Sequence, residues 1–344
     1  MPRPKVSIIF LSYNQEKFVE AALRSALDQD YPDFEVIVAD DCSTDKTMEV
    51  IQSVLSRHDR ASAVKLIPSA SNLGIAKNWN RATECARGEF LVVMAGDDIS
   101  RTDRLGKIVS AFEVEKHAQA IVSQVRVIDY DGRTIRDQFE SIDRSFGLLC
   151  RNPALSGYTF WSDIPVIGAS AAYRSGAMKL LGPIEHASSE DNASFYRAMI
   201  MGGVCYLPEA LVDWRWHGLN ASIGAGHDGE DPAITVTRHA RRARAELDAC
   251  GQYRADAAKA HSLGLLDGRS YGLEIRRIDL LEGLLMLGWQ SIDPKQSLFS
   301  TIASAFRHIR SERFSPRALG YGLRSVLKAA APLRLKAIIK RRSR

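Results

Sequence analysis

The sequence predicts an α/β protein with a mostly parallel central sheet, followed by a helical C-terminal extension. Three observations lead there. Over the first 128 residues, apolar runs of strand length alternate with segments whose apolar residues recur at helical spacing. Several of the runs end in polar or acidic residues, which is where open parallel sheets bind ligands. Residues 235 to 290 then carry helical spacing, with Leu273, Ile278, Leu281, Leu284 and Leu285 as an apolar side.

The elements follow in order. Val6 to Leu11 is a buried-strand run, and Phe18, Val19, Ala22, Leu23, Ala26 and Leu27 form the first helical stripe. Phe34 to Ala39 is a second strand ending at Asp40-Asp41, and the helix after it turns Met48, Ile51, Val54 and Leu55 inward. Ala63 to Ile67 is a third strand, 75 to 86 a third helix, and Phe90 to Ala95 a fourth strand ending at Gly96-Asp97-Asp98. Leu105, Ile108, Val109 and Phe112 mark a fourth helix, and Ala120 to Ile128 a further strand. This β-α-β-α order implies right-handed crossovers. Beyond a connecting stretch at 129 to 165, Val166 to Arg174 reads as a strand of mostly small residues, and Phe195, Ala198, Met199 and Met201 give an amphipathic stretch. Trp214 and Trp216 alternate with polar neighbours in strand fashion.

Composition narrows the function classes. A chain of 344 residues is too long for one ordinary core. No apolar run approaches the ~20 residues of a membrane span. The N-terminal apolar run is short and continues into Ser12-Tyr13-Asn14, unlike a signal peptide, so a cytoplasmic protein is expected, at most peripheral on the inner face of the membrane. Cys42, Cys85, Cys150, Cys205 and Cys250 are widely spaced with no Cys-x-x-Cys pair, which disfavours a zinc site or disulfide framework. Residues 311 to 344 hold ten Lys/Arg against one acid, whereas the preceding 310 hold 36 against 40. The net charge of +5 is therefore a tail property, and the body gives no reason to expect nucleic-acid binding.

Three polar clusters close strands: Ser12-Tyr13-Asn14, Asp40-Asp41 and Gly96-Asp97-Asp98. Adjacent carboxylates repel, so a site that keeps both ionised needs a positive partner, and a divalent cation suits them. The competing reading is a turn, with Asp97 capping the next helix. No Gly-x-Gly-x-x-Gly follows the first strand and no Gly-x-x-x-x-Gly-Lys-Ser/Thr occurs, which disfavours a dinucleotide fold or a P-loop nucleotidase.

The combination VSIIFLSYNQEKFVEAALRSALDQDYPDFEVIVADDCSTDKT, then NLGIAKNWNRATECARGEFLVVMAGDD, closely resembles the family 2 glycosyltransferases, inverting enzymes with a GT-A fold. The resemblance spans residues 5 to about 218. It implies a nucleotide-sugar donor (a UDP- or dTDP-sugar), Mn²⁺ or Mg²⁺, and transfer to a hydroxyl of a glycan or lipid-linked acceptor in bacterial cell-surface polysaccharide synthesis. It also implies a GT-A domain over 1–231, with a nucleotide-sugar half at 1–128 and an acceptor half at 129–231; from about 232 the resemblance fades, and the apolar spacing predicts a helical extension over 232–344. A nucleotidyltransferase and a nucleotide-sugar-binding module without turnover are the alternatives.

Carried over residue by residue, the resemblance places Ser12, Tyr13 and Asn14 at the donor, Tyr13 against the base. Asp41 accepts hydrogen bonds from the base, as a carboxylate can from a uracil-type N–H; the other reading is a helix N-cap. Asn72, Gly74 and Asn80 match a segment beside the donor, although Trp79 stands where many members carry Arg; loop and cap chemistry is equally open. Asp97 faces the ribose and Asp98 reaches the cation that bridges the diphosphate. Glu190-Asp191 matches the family's Glu-Asp motif, with Asp191 the base and Glu190 supporting; Ser188-Ser189-Glu190-Asp191 also looks like a helix N-terminus. Arg215 is a phosphate-facing or orienting group, and His217 a further cation ligand or diphosphate contact. Trp214 and Trp216 either pack the core or floor a sugar subsite, and Tyr158, Phe160 and Trp161 either line an acceptor groove or pack. Residues 317 to 344 read as a basic amphipathic segment for a membrane surface, a partner or the catalytic domain.

Overall fold

The computed structural model describes residues 4–138, 147–150, 167–217 and 232–292. Tyr158, Phe160, Trp161 and the basic segment 317 to 344 lie outside the described residues. The chain divides into two compact units, Met1–Asn152 with Pro165–Asn220, and Pro153–Ile164 with Ala221–Arg344.

The first unit is built on one sheet. Its first half supplies β1 (Val6–Ser12), α1 (Val19–Leu27), β2 (Phe34–Asp40), α2 (Thr47–Leu55), β3 (Val64–Leu66), α3 (Ile75–Cys85), β4 (Phe90–Ala95), β5 (Ile99–Ser100), α4 (Arg104–Val114) and β6 (Ala120–Ile128). After β7 (Thr134–Arg136) and β8 (Gly147–Cys150) come a 3₁₀ turn (Gly168–Ser170), β9 (Ala171–Arg174), α5 (Ser175–Leu180), α6 (Glu190–Met201) and β10 (Val204–Arg215). The strand order is β3-β2-β1-β4-β9-β6-β10-β5, with β7 beside β6 and β8 beside β10. β1 runs parallel to β2 and β4, and β10 to β6; β9 is antiparallel to both β4 and β6.

Register determines where the site lies. Ser12 pairs with Asp40 and Leu11 with Ala95, so the first, second and fourth strands end on one line, and their polar tips share one edge of the sheet. One core fills the face under α1, α2 and α4, where Ile8, Phe10, Val36, Val38, Val92 and Met94 meet Leu23, Leu27, Ile51, Val54 and Ile108. Phe90 and Phe112 stack there at 4.4 Å. Each such side chain, fully buried, contributes roughly 1.5–3 kcal/mol. A smaller cluster of Val125, Val127, Ile167, Ala169, Val212 and Trp214 has Trp216 packed against it, so Trp214 belongs to the core.

The predicted run Val166 to Arg174 departs from a continuous strand. Ser170 N–H and Oγ both donate to Ile167 O, at 2.8 and 2.9 Å, which curls 168–170 into the turn before β9 begins.

In the second unit α7 (Pro232–Ser262) and α8 (Gly268–Ile292) pack on each other, with Cys250, Tyr253, Ala257 and Ile278 buried. Arg254 bridges Asp279 and Glu282 at 2.7 and 2.5 Å. Among the described residues no helix is long and apolar enough to cross a membrane.

Candidate active site

The loops after β1 and β2 are tied into one polar rim. Asp40 is buried and accepts Ser12 Oγ (3.0 Å), Ser43 Oγ (2.6 Å) and Ser43 N–H (2.9 Å). Asn14 accepts Thr44 N–H at 2.8 Å and donates its own N–H to Ser43 Oγ at 2.9 Å. Asn14 and Cys42 both sit at positive φ, 52° and 64°, a conformation that these hydrogen bonds hold in place. The Asp41 carboxylate takes the N–H of Leu73 on one oxygen (2.9 Å) and that of Gly74 on the other (2.8 Å). It therefore fastens the start of α3, where Gly74 has φ 83°, to the tip of β2. Tyr13 projects beside this rim, 44% exposed.

The tip of β4 carries the second acid pair. Gly96 leaves room for the Gln15 amide, whose Oε1 would lie 2.4 Å from a Cβ there. β5 follows directly and is pinned antiparallel to β10 through Val212–Ser100 and Asp213–Ile99, which brings Arg215 and His217 back over the pair. Asp98 Oδ1 accepts the backbone N–H of Arg215 at 2.8 Å; its other oxygen makes no hydrogen bond among the described residues. The Arg215 guanidinium donates from Nε to Asp97 O (2.9 Å) and from Nη1 to Asp129 O and Tyr130 O (3.0 and 2.9 Å). His217 Nε2 stands 3.0 Å from Asp97 Oδ2. Phe18 organises this corner: its ring stacks on His217 at 4.9 Å, lies under the Arg215 guanidinium at 5.0 Å and meets Tyr130 edge-on. Burial first and the neighbouring Asp97 second hold Asp98 well above the usual carboxylate range, against the Arg215 N–H and the charges of Arg104 and Arg215. No three His, Cys, Asp or Glu side chains gather as a metal site among the described residues.

The third acid pair opens α6. Ser189 is its N-cap residue, but its hydroxyl donates to Asp191 Oδ1 (2.6 Å), which also accepts the Asn192 N–H (2.7 Å). Asp191 Oδ2 makes no hydrogen bond among the described residues. Glu190 is 7% exposed, and burial, then Asp191, pushes its carboxyl up to about 8. The same two acids add to burial in raising the phenol of Tyr173 well above its ordinary range. Gly168 lies against the pair: a Cβ there would sit 3.2 Å from Asp191 Cβ and 3.3 Å from Glu190 Oε1.

Residues 7–182, just over half of the chain, match the family described as Glycosyl transferase family 2. The chain belongs to the family 2 glycosyltransferases. It is a sugar transferase, and its relatives carry corresponding names. An uncharacterized glycosyltransferase of Haemophilus influenzae is 28% identical over 239 residues, 68% of this chain and 72% of that protein. One of Nostoc sp. is 25% identical over 300 residues, 83% of this chain and 89% of its own. The crystal structure of Staphylococcus aureus TarS 1-349 in complex with UDP covers 96% of this chain and 90% of its own, at 18% identity and a TM-score of 0.56. The architecture is thus a GT-A fold followed by helices.

Of the expected donor residues, Ser12, Tyr13, Asn14, Asp41 and Asp97 lie at strand ends along one sheet edge, whereas Asn80 lies within α3. Ser12, Asn14 and Asp41 are hydrogen-bonded within the rim, and Asn72 is exposed. Both ends of the Asn80 amide bond the backbone of Ile184, at 2.8 and 2.9 Å, so its polar groups hold α3 to the segment before α6. Trp79 is buried edge-on against Tyr173, and Arg81 donates to Asn78, Ile67 and Pro68. Sequence reading missed Phe18, Gly168 and Arg104. Phe18 counted only as part of a helical stripe, Gly168 as part of a small-residue strand, and Arg104 went unremarked beside Leu105.

Proposed function

We propose that the chain is an inverting glycosyltransferase that moves a sugar from a nucleoside-diphosphate sugar to a hydroxyl of a glycan or lipid-linked acceptor in one displacement. The observation that carries this reading is the pairing of two acid sites: Asp97-Asp98 at the tip of β4, and Asp191 at the start of α6 with one oxygen uncommitted. Asp41 and Asp97 serve the nucleoside, with Tyr13 beside the base. A UDP- or dTDP-sugar donor is favoured because a carboxylate complements the N–H that uracil and thymine share. TarS, 33% identical over 130 residues, has also been crystallised with UDP-GlcNAc.

The residues at the β4 tip fit a divalent cation. Asp98 offers a hard oxygen ligand, is 1% exposed, and forms no ion pair with a basic side chain among the described residues. Asp98 would hold Mn²⁺ or Mg²⁺, with diphosphate oxygens completing the shell. When bound, the cation supplies charge stabilisation for the departing nucleoside diphosphate. His217, held on Phe18, keeps Asp97 oriented and stands as a second contact for cation or diphosphate. Arg215 fixes the loop through backbone carbonyls, so Asp97 and Asp98 keep their places as the donor enters.

Asp191 takes the proton of the acceptor hydroxyl on Oδ2 as that oxygen attacks the anomeric carbon; the bond to the diphosphate breaks on the opposite face, which inverts the centre. Ser189 and Asn192 hold the carboxylate by its other oxygen. Glu190 stays protonated at neutral pH and so does not repel Asp191. The basic segment 317 to 344 would bring the enzyme to an anionic membrane surface, where lipid-linked acceptors reside.

The test is a panel of nucleotide sugars with Mn²⁺, read as released nucleoside diphosphate. Asp98→Asn should abolish the cation-dependent rate, and Asp191→Asn should bind donor but not transfer. Wild-type rates in either variant would remove that residue's role.

A further inference from the structure

Arg104 is placed where elementary electrostatics disfavours it. It is the first residue of α4, where the helix dipole opposes a cation, and its side chain is 1% exposed. It forms no ion pair among the described residues, and its Nε is buried without a hydrogen-bond partner. Burial lowers its pKa to about 9, and the charge that opposes this is Asp98. Replacing a buried charge by an apolar residue of similar volume is often neutral or stabilising, so an arginine here needs a reason beyond packing. Breaches of local rules of this kind gather at functional sites.

Its contacts supply the reason. The antiparallel ladder between β4 and β9 stops at Val92–Ala172, because the chain before Ala171 curls into the Gly168–Ser170 turn. Arg104 Nη2 bridges the gap, donating to Val93 O on β4 (3.0 Å) and to Ala169 O in the turn (2.7 Å). Ala169 adjoins Gly168, which abuts Glu190 and Asp191, and β4 leads to Asp97 and Asp98. One guanidinium therefore spans the strand behind one acid pair and the turn against the other. A neutral amide could satisfy two carbonyls; the positive charge adds a field opposite in sign to the Asp98 carboxylate.

We propose that Arg104 is a positioning residue for sugar transfer: it fastens the Gly168–Ser170 turn, and with it the start of α6, to the strand carrying Asp97 and Asp98. The proposal rests on the assignment of Asp98 to the donor and Asp191 to the acceptor. Loss of Arg104 loosens the distance between the two reactants while leaving each half-site formed.

The experiment uses the full chain with Arg104→Met, Arg104→Gln and Arg104→Lys. Hydrogen exchange across 167–174 should speed up by about tenfold in R104M while β1 and β2 are unchanged, since local opening follows the lost tether. UDP affinity with Mn²⁺ by calorimetry should stay within about threefold, while kcat falls on the order of 10- to 100-fold, as expected for a misplacement approaching 1 Å. R104K should recover part of both exchange protection and kcat, and R104Q less, which decides the matter if R104M does not fold. Unchanged exchange at 167–174, or faster exchange with a wild-type kcat, overturns the proposal; so does UDP affinity falling in step with kcat. A wild-type rate for Asp191→Asn assayed alongside would instead overturn the base assignment, and the exchange data would show separately whether the tether exists.

Discussion

Glu190→Gln tests the electrostatics of the acceptor side directly. The Glu190 carboxyl is raised from 4.5 to about 8, first by burial and then by Asp191. Below about pH 4.5 folded and unfolded chains both hold this proton, and the group adds nothing to the pH dependence. Above that, the unfolded chain releases it while the folded chain retains it, so the unfolded state binds fewer protons and stability falls as pH rises. The slope is about 1.4 kcal/mol per pH unit, and the loss reaches roughly 4 to 5 kcal/mol by pH 8, where the folded protein also ionises. Gln has the same shape and cannot ionise, so the variant lacks this loss. Urea unfolding followed by tryptophan fluorescence at pH 5, 6, 7 and 8 should show E190Q gaining on the wild type steadily from pH 5 to 8. Both proteins carry every other titrating group, so the difference isolates this one. A stability difference independent of pH across that range would refute the claim that the folded protein keeps Glu190 neutral.

Three further outcomes are expected. Gly168→Ala should fold with a melting temperature close to wild type, because its φ is ordinary and the added methyl meets neighbours only slightly too near. Pushing Asp191 by a few tenths of an ångström should nevertheless lower kcat roughly three- to tenfold with donor affinity unchanged, and an unchanged kcat would remove the crowding argument. Asp41→Asn turns one acceptor of the Leu73 and Gly74 N–H groups into a donor, at a local cost of about 1–3 kcal/mol. Faster exchange at 72–75 with at least tenfold weaker UDP binding is expected, and intact UDP affinity would move base recognition elsewhere. Deleting 317 to 344 should release the protein from vesicles containing phosphatidylserine, and co-sedimentation equal to the full chain would dismiss the membrane reading.

What the residues disclose in advance depends on how local the cause is. β1, β2, β4 and the helices after them follow from apolar spacing within a dozen residues, and their boundaries in the structure lie within a residue or two of the predicted runs. The antiparallel placement of β9 between β4 and β6 was not legible, because Ala171 to Arg174 pairs with strands many residues away and small side chains leave no directional pattern. The same holds for the contacts that hold the acids. Nothing near Asp41 announces Leu73, and nothing near Asp97 announces His217, whose approach depends on two residue pairs between β5 and β10. Arg104 left one usable signal, a cation at the first position of a helix six residues after an acid pair, and that signal acquires meaning only once burial is known.

The three acid pairs share a physical logic that accounts for their doubled form. Two adjacent carboxylates with little access to water cannot both remain charged without compensation. At the β2 tip, Asp40 is satisfied by Ser12 and Ser43, and Asp41 faces the donor rim. At the β4 tip, Asp97 is paired with His217, and Asp98 keeps one oxygen outside the protein's own hydrogen bonds among the described residues. At the start of α6, burial keeps the proton on Glu190, and Asp191 keeps Oδ2 uncommitted in the same sense. Hydrogen bonds compensate the first acid at the β2 tip and its own proton does so at the start of α6, whereas at the β4 tip Asp97 still raises Asp98, so that pair calls for a positive partner. Removing the charge of Asp40 or Glu190 should therefore disturb structure and pH response before it disturbs the reaction, whereas removing that of Asp98 or Asp191 should do the reverse.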